Sequence, residues 1–195
     1  MHRLSTTFVL GYHGCSADAA EALLSGKPFK PSDNDFDWLG PGICFWEANP
    51  RRALQFADDK RKRERKAWKP AIIGAAIDLG FCLDLTTETG IAEVVWAHAA
   101  LTATYTEGEE ELPINRGGSD RLLRHLDCAV IRILHDLRQA MSLEPLDTVR
   151  GVFVEGGPIY ENSGFYSKTH VQICVCNASR IRGVFRVPPA DLEIP

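Results

Sequence analysis

No apolar run in this chain approaches the roughly 20 residues needed to cross a bilayer as a helix, and Met1-His2-Arg3-Leu4-Ser5 has none of the apolar centre of a secretory leader. Membrane insertion and export are therefore not expected, and the chain reads as cytoplasmic. Charge of one sign is also missing: 22 Lys+Arg stand against 26 Asp+Glu, a formal net charge of −4. No global field draws the protein to nucleic acid or anionic lipid, so a polyanion would need a local basic patch. The six cysteines, Cys15, Cys44, Cys82, Cys128, Cys174 and Cys176, lack both the density of a secreted disulfide scaffold and the paired spacings of a zinc site. They read as reduced, mostly buried thiols, and no metal is expected. Glycine-rich phosphate loops of the dinucleotide-fold or P-loop kind are absent, as are internal repeats.

What remains is an ordinary globular composition. The 195 residues, 45% hydrophobic and 25% charged, suffice for one domain with a sizeable core. Residues 6–12 are β-branched, aromatic and apolar and predict a strand ending at His13-Gly14. Ser16 is placed to cap a helix that Gly26 ends. "KPFKPSDNDFDWLGPG" is dense in turn formers and predicts a long irregular loop, the kind that binds or covers a ligand. "GICFW", residues 42–46, predicts a buried strand, and Asn49-Pro50 opens a second helix. Its charged end, 58–66, interleaves both signs and reads as a solvated face.

Residues 70–80 predict a strand with Gly74 at a bulge or a close backbone approach. Apolar period predicts helices at 89–101 and 119–142, and strands return at 150–154, 169–176 and 181–187. This order lacks regular strand–helix alternation, so an α+β domain with mostly antiparallel strands is expected.

"YHGCSADAAEALLSG…GPGICFWEANPRRALQFA" resembles the first half of the catalytic domain of ADP-ribosyltransferases of the poly(ADP-ribose) polymerase and diphtheria-toxin type. There a strand ends in His-Gly-Ser or His-Gly-Thr, a short helix follows, and a Gly-Ile-Tyr-Phe strand leads into an Ala-rich helix. "HVQICVCNASRIRGVFRV" resembles that family's catalytic strand and its closing strand. The matches cover about a third of the chain, at its two ends; the stretch at about 88–145 has no counterpart and reads as a helical insertion.

The resemblance implies a split β-sandwich, with flanking helices, that holds nicotinamide adenine dinucleotide (NAD) bent as co-substrate. The nicotinamide–ribose bond then loosens toward an oxocarbenium-like state before a nucleophile attacks the sugar. It implies that His13 bonds the adenosine-side ribose, and that Gly14 clamps the nicotinamide carboxamide through its backbone. Cys15, Gly42, Cys44 and Phe45 would line the same slot, with Lys27, Lys30 or Arg51 as phosphate contacts and Trp38 placed to stack on adenine. Two positions depart from the family pattern. Its stacking tyrosine is Cys44 here, and its catalytic glutamate is Gln172, whose amide can bond a ribose hydroxyl but brings no negative charge. Glu155, Glu161 and Glu47 are the acids placed to replace that charge, with Glu161 expected to act beside Gln172 and His13; His170 is expected to share the Gln172 cleft.

The implied activity is a NAD-dependent mono-ADP-ribosyltransferase acting on a protein or nucleic-acid acceptor. An intracellular toxin or phage-defence effector, restrained by an antitoxin or immunity partner, would suit it. The losses at Cys44 and Gln172 keep two alternatives open: a NAD or ADP-ribose-binding module without turnover, and an enzyme that passes the sugar to water as a NAD glycohydrolase.

Overall fold

The computed structural model describes residues 8–193. Seven strands form one sheet in the order β4-β5-β6-β2-β1-β3-β7. They are β1 (Phe8–Ser16), β2 (Ile43–Glu47), β3 (Pro70–Asp78), β4 (Cys82–Asp84), β5 (Thr148–Phe153), β6 (His170–Val175) and β7 (Ile181–Phe185). Every pairing is antiparallel except β4 with β5. The helices are α1 (Ala17–Leu24), α2 (Pro50–Arg63), α3 (Glu88–Glu107) and α4 (His125–Ala140). No helix among the described residues is long and apolar enough to cross a membrane.

Period-two alternation sorts the strand residues onto two faces. One face carries Ile43, Phe45, Ile73, Ala75, Ile77, Ile173 and Val175, closed by Ala20 and Leu23 of α1. Burying Leu23 alone contributes about 2 kcal/mol. Ser16 holds α1 to β1 as expected, its hydroxyl accepting from the Ala19 N–H at 3.2 Å. The opposite face has two covers. Ala53 and Phe56 of α2 pack on Tyr12 and Trp46, while α3 and α4 bring Ala97, Leu101, Val130, Ile131 and Leu134 down on Val149 and Cys174.

Gly14 belongs to this second face, where a side chain would collide with the Ala53 carbonyl; its bare backbone lets α2 lie close. Gly74 also permits a close approach, by the Phe185 ring, while the register shift in this strand falls at Ala76/Ile77.

One expectation changes. The segment 119–142 starts its helix only at His125, because left-handed Gly117, Gly118 and Arg121 turn the chain first and Arg116 pairs with Leu123. The Asn115 side chain then accepts from the Leu126 and Asp127 N–H groups, capping α4 from outside the helix. The expected α+β domain with mostly antiparallel strands is observed, as a single open seven-stranded sheet. Its weakest seam is β1–β2, paired only at Gly11↔Glu47 and Tyr12↔Trp46. Beyond Tyr12, β1 follows β3 alone and β2 follows β6 alone.

Candidate active site

The parted seam gathers most of the residues nominated from sequence. His13, Gly14 and Cys15 lie on the free half of β1, and Gly42 and Cys44 on or beside the free half of β2. The His13 ring bridges the gap, its Nδ1 2.8 Å from the Cys44 carbonyl. A carbonyl only accepts, so Nδ1 carries the proton and Nε2 presents a lone pair. The ring packs edge-on to Phe29 and tilted to Phe45, with centroids 5.6 Å from each. Burial lowers its pKa, only partly offset by the Cys44 carbonyl. Burial also pushes the Cys15 thiol up to about 11, which keeps it protonated. All six cysteines are free.

The register separates His13 from Gln172. Gln172 stands opposite Trp46, which stands opposite Tyr12, so these three share the α2 face. His13, one residue on, shares the α1 face with Phe45 and Ile73. The two side chains therefore leave opposite faces of the sheet. A ligand that touches both must bend around the open end of the seam.

Around Gln172 a buried polar chain is built. The Gln172 amide nitrogen lies 2.8 Å from His170 Nε2, and His170 Nδ1 lies 2.7 Å from the Lys168 carbonyl. The carbonyl fixes the proton on Nδ1, so Nε2 accepts from the Gln172 amide. That leaves the Gln172 side-chain oxygen as an acceptor for an incoming hydroxyl. Glu155 Oε2 is 3.9 Å from His170 Nδ1 and 2.5 Å from Arg52 Nη2, and Glu155 is 2% exposed. Trp38, Trp46 and Phe153 surround the His170 ring at 5.8–6.4 Å. Burial lowers the His170 pKa; the Lys168 carbonyl and Glu155 oppose this, and Arg52 adds to it.

The remaining nominations divide. Glu155, not Glu161, is the loop acid turned inward; Glu161 is exposed, with no hydrogen bond or ion pair among the described residues, because its segment runs over the surface. Glu47 is committed to Arg150 at 2.6 Å, on the α1 face. Trp38 is clamped rather than free for adenine: Phe153 lies 4.2 Å away, the Arg124 guanidinium sits over its ring at 4.3 Å, and its Nε1 donates to the Leu122 carbonyl. Lys30 is exposed. Phe45 is fully enclosed and is a core residue. Gly42 is buried, where a side chain would strike Cys174 and the Val175 backbone. Among the described residues no group of three or more His, Cys, Asp or Glu side chains is arranged to hold a metal.

Arg52 is the site residue that sequence reasoning missed. Its signal was positional: it directly precedes Ala53 on the inward side of a helix opened by Asn49-Pro50, where a basic residue needs a buried partner.

Comparison with family models, with curated proteins and with solved structures found no match for this chain.

The two buried histidines carry a pH signature. Their folded pKa values lie below the ordinary 6.5, so they stay neutral in the folded protein while the unfolded chain takes up protons. Their contribution is intact above about pH 6.5 and lost as pH falls below it, each by up to about 1.4 kcal/mol per pH unit. Urea unfolding at pH 7.5 and 5.5 is expected to show this loss, and His170→Gln is expected to flatten it.

Proposed function

We propose that this protein is a NAD-dependent ADP-ribosyltransferase that moves ADP-ribose to a macromolecular acceptor, as an intracellular toxin or phage-defence effector restrained by a separate partner. The observation that carries the reading is adjacency. Three strands of the segments that resemble the family, β6, β2 and β1, are consecutive in the sheet, and the last two part from each other beyond Tyr12. In this reading a bent dinucleotide follows the seam, with His13 Nε2 available to one ribose and the Gln172 side-chain oxygen accepting from a hydroxyl of the other. The glycosidic C–N bond breaks, its electron pair leaves with nicotinamide, and the acceptor's nucleophilic atom bonds the ribose carbon while its proton passes to solvent. Gln172 offers the hydrogen bond without the charge. Glu155, 3.9 Å from His170, is the nearest buried negative group to that chain.

Binding without turnover is the second reading, and one contact favours it: Arg52 neutralises Glu155. Isolated protein with NAD separates the two. Transfer predicts nicotinamide release together with labelled protein or nucleic acid, reduced about tenfold in Gln172→Ala through loss of one hydrogen bond, ~1.4 kcal/mol. Thermal stabilisation by NAD with no nicotinamide released would replace transfer by binding. Neither release nor stabilisation would remove NAD from the account.

A further inference from the structure

A cavity of about 500 Å³ opens where the first turn of α2 faces the segment that enters β6. Its walls include Arg51, Arg52, Ser167, Lys168, Thr169 and Asp191. We propose that this cavity binds a terminal phosphate group, the dianion of inorganic phosphate or of a phosphate monoester. Of the residues nominated for the dinucleotide only Arg51, one of three candidate phosphate contacts, lines this cavity, so competition with NAD tells the two sites apart.

The observation that points to a ligand is Arg52. It is 9% exposed and spends only Nη2 on Glu155, while its Nε and Nη1 have no partner. A guanidinium carries five N–H donors, and leaving buried ones unpaired is costly, so Arg52, a lining residue of the cavity, has donor capacity left for a further acceptor. Phosphate supplies several oxygens in the geometry a guanidinium fork takes two at a time.

The rest of the wall agrees. Arg51 and Lys168 have no ion pair among the described residues, and Asp191 is the single acid in the lining, so the cavity carries excess positive charge. Asn49 Oδ1 already accepts from the Arg52 N–H, and Pro50 has no N–H to give. The Arg51 N–H is then the first-turn donor left for an anion at the positive end of the α2 dipole. Ser167 and Thr169 add hydroxyl donors from the opposite wall.

The test is isothermal titration of the full chain with inorganic phosphate and with glycerol phosphate, at constant ionic strength set by chloride. Both are expected to bind saturably. Arg51→Gln/Lys168→Gln is expected to weaken both at least tenfold without unfolding the protein, because neither side chain is buried. Asp191→Asn is expected to tighten them several-fold. Absence of saturable binding overturns the proposal, as does unchanged affinity in the double variant. Displacement of bound phosphate by NAD overturns it too, because the cavity would then belong to the dinucleotide; failure of NAD turnover alone leaves these titrations as they are.

Discussion

Replacing Glu155 with leucine is expected to cost about 3–5 kcal/mol of folding stability, because it leaves the largely buried Arg52 guanidinium without its carboxylate partner. Arg52 and Glu155 are 9% and 2% exposed and meet at 2.5 Å. Arg52 already lacks partners for Nε and Nη1, so the carboxylate is its one anchor among the described residues. For a domain of this size the loss lowers the melting temperature by about 10 °C. Removing both charges together has a different outcome. In Arg52→Met/Glu155→Leu the buried charge is gone and apolar volume replaces it, so most of the lost stability returns. A double-mutant cycle by urea unfolding checks this. Glu155→Leu within 1 kcal/mol of the parent would mean that the pair is not desolvated as the geometry implies. The same cycle bears on the candidate site, because Glu155 also faces His170, whose Nε2 holds the Gln172 amide.

Much of the architecture was legible because local chemistry decides it. Ser16 and Asn49 cap α1 and α2 where their side chains suggested, and the apolar runs at 42–46, 70–80 and 169–176 became β2, β3 and β6. The strand β4, three residues long, has no period to read and exists only because β5 pairs with it. Site geometry was harder. Alternation along a strand tells which residues share a face, but not which strands become neighbours. The placement of His13 and Gln172 on opposite faces therefore followed only from the β1–β2–β6 register. The partnership of His170 with Gln172 was legible, since positions two apart on one strand share a face. The choice between Glu155 and Glu161 was not: both sit in one glycine-rich stretch, and only an arginine 103 positions away draws Glu155 inward.

Phe45→Ala is expected to destabilise the protein by about 3–5 kcal/mol, and this result separates a packing role from a ligand-facing one. Phe45 is fully enclosed, its ring lies 5.5 Å from Phe29 and 5.6 Å from His13, and Gly11 lacks a side chain where one would strike the Phe45 ring. Deleting the ring empties the centre of the α1-face core, whose Ile73, Ile77 and Ile173 neighbours sit on strand backbones that cannot collapse far. Phe45→Leu keeps most of the volume and is expected to cost about 1.5 kcal/mol. The two losses are expected in that ratio whether or not NAD is present, measured by urea unfolding in parallel. A ligand wall would behave in the opposite way: Phe45→Leu would leave unliganded stability unchanged and remove the stabilisation that NAD confers. The distinction matters for His13, which rests against this ring. If Phe45 is core, the imidazole is held by packing before any ligand arrives, and its Nε2 is fixed at the seam rather than drawn there by a sugar.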